Sequence, residues 1–202
     1  MNSIITEQIP KQGFEIVRDL IGAILFVEIN NQMKLLEECD VDVYVGRTTP
    51  FQQSEQKMIN VLLDSAGYDS SNQFSQHGDT KFYIDYYTTG KAHLSVNGGT
   101  VSTLDRDSFT GKIRYILQNH KYNTLSLPKK LGCIMNTDVL GFENFDTANA
   151  QDSSFVTMSR TTFTVRINEE QSVWESTEIN TIFTDVRLNQ SDNGYKYEKI
   201  NN

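Results

Sequence analysis

Apolar residues recur at three- and four-residue spacing through Phe14, Val17, Leu20, Ile21, Ile24, Leu25 and Ile29, with Glu15, Arg18 and Asp19 on the other side. That is the pattern of an amphipathic helix. The breakers Pro10-Lys11-Gln12-Gly13 mark its start, and the pattern runs to about Leu36. Phe26 and Val27 widen the apolar stripe, as a helix laid on a sheet requires. Gly22, beside Ala23, costs about 1 kcal/mol of helix propensity relative to Ala, which close backbone packing would offset. A second, shorter helix is predicted from about Phe109 to His120. Phe109, Ile113, Ile116 and Leu117 form its buried stripe, Ser108 is its expected N-cap, and Asp105 and Asp107 flank its start, where they favour the helix dipole. Lys121 lies at its exit, a favourable end for a cation.

Between and after the helices the period changes from 3.6 to 2. Val41, Val43 and Val45 alternate with Asp42 and Tyr44, and Met58 to Leu63 is an apolar run of strand length. The segment Asp64 to Gly78 is rich in Ser, Gly, Asp and Asn and predicts a long loop. Lys81 to Tyr87 predicts a strong strand with Phe82, Ile84 and Tyr86 on one face and Tyr83, Asp85 and Tyr87 on the other, the first face core and the second an exposed tyrosine surface. Asn97-Gly98-Gly99, within Leu94 to Val101, reads as the turn of a small hairpin. Further strands are expected over Gly132 to Leu140, Thr161 to Ile167 and Asn180 to Leu188, with a loop from Asn144 to Ser154. Phe163, Val165 and Ile167 alternate with Thr162, Thr164 and Arg166, as in an antiparallel strand with one solvated face. Asn189 to Asn202 either closes a terminal hairpin at Asn193-Gly194 or frays.

The expected fold class is therefore α+β: a mixed or antiparallel sheet packed against two helices, with a C-terminal β extension. The 202 residues fit one domain, 1–202, in which 168–202 is open to reading as an extension or arm. With 38% hydrophobic and 22% charged residues the chain is globular in composition, and no apolar run approaches the roughly 18 residues of a membrane span. The N-terminal Met1 to Glu7 lacks the basic and apolar regions of a secretory signal, so a cytoplasmic site of synthesis and no membrane partner are expected.

Chemistry is thinly represented. Cys39 and Cys133 have no CxxC or zinc-like spacing and read as free thiols, Cys133 buried and inert within Leu131 to Met135. His77, His93 and His120 are isolated from one another, and HExxH, GxxxxGK[ST], GxGxxG and GxSxG are absent from the sequence. His77-Gly78-Asp79 is the most site-like stretch, yet it has no third member. Asn189 to Ile200 puts Gly194 at the sixth position of a calcium loop but Ile200 where a bidentate Glu is needed, so that match fails. No catalytic residue, metal or cofactor is expected. The formal charge of −8, with acids scattered, disfavours binding to nucleic acid by phosphate neutralisation.

The stretch Ile4 to Phe14 leading into a helix that ends near Gln32, then strands up to Thr103, the helix Ser108 to Asn119, the segment Leu125 to Leu131 and the strand Ser159 to Ile167 resemble, in element order and texture, tail terminator and related neck proteins of tailed bacteriophages. The resemblance spans about Ile4 to Ile167. It implies a virion structural protein, assembled in the host cytoplasm as a six-membered ring of identical subunits. Such a ring caps the tail tube, meets the tube protein on one side and the head-tail connector or neck proteins on the other, and lets DNA pass without specific binding. A ring needs two different patches per copy, for which Tyr83, Tyr87, Trp174, Tyr195 and Tyr197 are the candidate interface residues. Trp174 belongs either to an arm reaching a neighbour or to a last core strand. The competing readings are a head completion, stopper or other minor tail protein, a hydrolase or metal-dependent enzyme using His77 to Asp85, and a monomeric module holding a peptide or glycan on the tyrosine-rich sheet.

Overall fold

The computed structural model describes residues 11–52, 55–69, 75–91, 97–123, 125, 135–146, 154–170, 186–191 and 194–199. The elements are α1 (Gly13–Leu35), β1 (Asp42–Val45), β2 (Lys57–Ala66), β3 (Ser75–Lys91), α2 (Gly98–Leu117), a short 3-10 turn (His120–Tyr122), β4 (Met135–Asp146), β5 (Ser154–Glu170), β6 (Val186–Ser191) and β7 (Gly194–Lys199). One sheet takes the order β4-β5-β3-β2-β1-β7-β6. Strands β1 and β2 run parallel and every other neighbouring pair is antiparallel. The fold is α+β with a mixed sheet, and β6 and β7 pair into its β1 edge as a hairpin.

Both helices lie on one face. Paired residues share a face, so Val43, Ile59 and Tyr86 form one row, and Val45, Val61 and Ile84 the next. Against these rows α1 sets Val17, Ile21, Ile24, Leu25, Ile29 and Met33, and α2 sets Phe109, Ile113, Ile116 and Leu117, all buried. Tyr86 and Phe109 stack with centroids 4.4 Å apart. The side-chain split predicted for β3 holds on this face, where Phe82, Ile84 and Tyr86 are fully buried. On β5, Phe163, Val165 and Ile167 are buried while Thr162, Thr164 and Arg166 are not.

Several local expectations are corrected. Asn97-Gly98-Gly99 starts α2 instead of closing a hairpin: the Asn97 side chain accepts from the Gly99 backbone N–H at 2.9 Å. Two glycines in a first turn are poor helix formers, but tertiary contact decides. A Cβ on Gly90 would lie 2.0 Å from the Gly98 carbonyl oxygen, so β3 and the start of α2 touch backbone to backbone. Ser108 is thus mid-helix and caps nothing, Asp105 and Asp107 lie inside the helix, and α2 ends at Leu117, before the 3-10 turn. Asp64 to Gly78 is also shorter as a connection than expected, because β2 runs to Ala66 and β3 begins at Ser75. Strand β4 runs on to Asp146 and β5 starts at Ser154, which removes both ends of the loop expected from Asn144 to Ser154. Residues 132–134 and 180–185 of two expected strands lie outside the described residues.

Two buried asparagines anchor the four-residue strand β1 at its ends. Asn30 on α1 accepts from the Val41 N–H at 2.8 Å and donates to its carbonyl at 3.2 Å. Asn60 on β2 does the same for Arg47, at 3.0 and 2.8 Å. Each amide substitutes for one rung of a ladder, which lets a short strand hold its place in the sheet centre.

Candidate functional site

The second face of the sheet is built differently. The parallel step from β1 to β2 needs a crossover, and residues 46–52 and 55–56 of that connection lie on this face. It begins at Gly46, whose φ of 67° suits a residue without Cβ. Arg47 then lies 4.7 Å over the Tyr44 ring and grips Glu55 through both guanidinium ends, at 2.6 and 2.8 Å. The bond to Glu55 raises the Arg47 pKa against the opposing effect of burial. Phe51 stacks on Tyr87 at 5.4 Å.

Next to this crossover Asp85, 1% exposed, accepts two bonds of 2.7 Å from Arg160 of β5. The guanidinium stands 4.5 Å over the Tyr83 ring. Both tyrosine pKa values are raised: Tyr83 by desolvation and then its bond to Asp64, Tyr87 by burial and then the Asp85 charge. The tyrosine surface expected from Tyr83, Asp85 and Tyr87 is therefore already engaged within the chain. Tyr83 and Tyr87 are half-buried, one under Arg160 and the other under Phe51.

The five sequence candidates do not converge on one patch among the described residues. Tyr83 and Tyr87 pair with Leu62 and Met58 of β2. Tyr195 and Tyr197 lie on β7, two strands beyond β2, where Tyr195 pairs with Val45 and Tyr197 with Leu188. Trp174 lies outside the described residues.

The enzyme-like candidates disperse as well. His77 lies in β3, not in a loop, with Asp69 bridged to it through a backbone bond of 2.7 Å. Asp79 is exposed and faces Arg166 at 3.7 Å. Asp105, instead of flanking a helix start, projects from α2 to accept from Lys57, the Tyr86 hydroxyl and the Thr88 hydroxyl at 2.9, 2.8 and 2.6 Å. Burial and the Asp105 charge push the Tyr86 phenol far above its usual range. Burial lowers the Lys57 pKa, but bonds to Glu38 and Asp105 more than reverse this. Cys39 is exposed and free, and Cys133 and His93 are outside the described residues. Among the described residues no three His, Cys, Asp or Glu could hold a metal ion, and no helix is long and apolar enough to cross a membrane.

A cleft of about 420 Å³ opens where α1, α2 and the 3-10 turn meet, lined by Glu28, Gln32, Lys112, Tyr115 and Tyr122 among others. Its carboxylate is already occupied: Glu28 accepts from Lys121 at 2.8 Å and from the Tyr122 hydroxyl. Burial would raise the Glu28 pKa, but these two bonds reverse that and lower it.

The edge strand β4 carries a group of exposed apolar side chains. Leu140, Phe142 and Phe145 are 60%, 52% and 41% exposed, three large apolar side chains within one short stretch of a single strand. Register shifts break the β4 to β5 ladder between Met135 and Asp138 and again between Val139 and Gly141, after which pairing is regular to Asp146. Because pairing is regular from Gly141 on, Phe142 shares the face of its partner Thr161 and Phe145 that of Met158, so the exposed apolar side chains stand on both faces of this edge strand. No family model matches this chain, and no curated protein matches it.

Proposed function

We propose that this protein is a structural subunit of a tailed-phage virion, a tail terminator that forms a ring, caps the tail tube and joins it to the head-neck connector. The observation that carries the reading is the group of exposed apolar side chains Leu140, Phe142 and Phe145 along an edge strand, with Phe142 and Phe145 on its two faces. Isolated exposed apolar residues are ordinary, but several along a strand whose outer edge has no partner among the described residues offer that edge to another chain, and such edges are normally blunted by Lys, Pro, other charges or bulges. β4 has neither Lys nor Pro, and its two bulges fall before Gly141, which leaves 141–146 regular with Glu143 and Asp146 as its charges. The polar clusters add support, because Asp85, Asp105, Glu28 and Glu55 are each bound by cations or hydroxyls of the chain itself, as fits a protein that works by shape and contact.

In this reading six copies close by rotation, so each copy offers two unlike patches. The charge of −8 per copy keeps DNA moving through the lumen, since like charges repel and no counterion release is gained. Light scattering on the purified chain across concentration, followed by electron microscopy, tests the proposal. A closed ring with one subunit number is expected. A strict monomer at every concentration overturns it and favours a binding module.

A further inference from the structure

We infer that neighbouring copies join sheet edge to sheet edge, strand β4 of one copy pairing antiparallel with strand β6 of the next, so that the sheet continues around the assembly. This rests on the ring reading and names the contact that closes it.

Topology supplies the first observation. β4 and β6 are the two ends of the strand order, and among the described residues no strand pairs with the outer side of either. Direction supplies the second. From β4 the chain direction reverses at β5, at β3 and at β2, is kept at β1, and reverses at β7 and at β6. The number of reversals is odd, so β6 runs opposite to β4. A rotation that carries one copy onto the next preserves strand direction within the sheet, and β6 therefore arrives beside β4 antiparallel, the pairing of greater stability per residue.

Length and charge then separate this contact from the alternative in which two β4 edges pair about a two-fold axis. Beyond its second bulge β4 is regular over 141–146, a stretch equal to the six residues of β6. β4 carries Asp138, Glu143 and Asp146 and no cation, whereas β6 carries Arg187 and no acid. Pairing β4 with itself opposes three carboxylates to three; pairing it with β6 brings opposite signs together, and cross-strand pairs of like charge destabilise a sheet. β6 also includes Val186 and Leu188, as β4 includes Leu140, Phe142 and Phe145. Backbone bonds supply affinity in such strand addition, and side chains supply choice of partner.

The test is a cysteine scan in a chain carrying Cys39→Ser and Cys133→Ser. Single cysteines at positions 141 to 145 and at 187 to 190 are made alone and in every cross-edge pair, then oxidised under assembly conditions. The expected result is a ladder of covalent oligomers up to the ring number from at least one pair and monomers from every single variant. Covalent dimers from single β4 variants overturn the inference in favour of β4 to β4 pairing. An intact ring in which no pair links also overturns it, while the ring reading survives. A native chain that stays monomeric overturns both. A second variant guards against misfolding: Phe142→Lys changes an exposed side chain, so circular dichroism should match the native chain while the concentration needed for assembly rises on the order of tenfold. Unchanged assembly in that variant counts against the β4 edge.

Discussion

The two faces of the sheet are held by different physics. The helix-covered face is mostly apolar, with Tyr86 on Phe109 and the stripes of α1 and α2 closing over β1, β2, β3 and β5, and with polar contacts at one end where Asp105 binds Lys57, Tyr86 and Thr88 and Thr110 binds Ser159. It is stabilised by removing carbon from water, a force without direction. The second face is stabilised by direction: Asp85 with Arg160, Arg47 with Glu55 and Tyr44, Phe51 on Tyr87. The contrast shows that covering a sheet and leaving it ready for a partner are separate questions. Tyrosines on the second face are covered from within the chain, while Leu140, Phe142 and Phe145 stand uncovered at the edge.

The largest effect should come from breaking the helix-covered face at its centre. Phe109→Ala removes a fully buried ring and its stacking partner contact, and should cost about 3–5 kcal/mol in urea unfolding. On the second face Asp85→Ala should cost less, about 1.5–3 kcal/mol, because it removes charge-assisted bonds whose Arg160 partner keeps access to water. A double-mutant cycle with Arg160→Ala should assign most of that loss to the pair; additive single losses would show the bond to be incidental.

A third change sharpens the contrast by turning the sign. Thr161 is buried on the helix-covered face and its hydroxyl has no hydrogen-bond partner, so Thr161→Val should stabilise the fold by about 1 kcal/mol. A loss of stability there would mean that the hydroxyl is satisfied in solution. The smallest effect is a pH slope. Glu28 has a lowered pKa in the folded chain, so its contribution is fully present above the ordinary value of 4.5 and is lost as pH falls through the lower folded value. Unfolding midpoints measured between roughly pH 3 and 6 should fall less steeply with acid for Glu28→Gln than for the native chain.

The sequence carried the fold class, because periodicity is a local record of burial. The stripes of α1 and α2 and the alternation of β1, β3 and β5 were all legible, down to Phe82, Ile84 and Tyr86 facing inward. Boundaries set by contact were not. Asn97-Gly98-Gly99 has the composition of a turn and starts a helix because Gly90 lets α2 rest on β3. Asn30 and Asn60 look like surface residues in the sequence and are buried rungs at the ends of β1. Tyr83 and Tyr87 are aromatic positions on a strand face, and no periodicity reports that Arg160 will lie over the one and Phe51 of the crossover over the other.

What the amino acids determined alone is which positions need cover: two helical stripes, one face of each long strand, and a −8 surface ill suited to nucleic acid. Tertiary structure decided which element covers them, placing Phe51 of the crossover over Tyr87 and Arg160 over Tyr83 and leaving Leu140, Phe142 and Phe145 at an edge. The reason is that burial preference is a property of a side chain, whereas cover depends on strand order, and strand order is set by contacts between residues far apart in the chain.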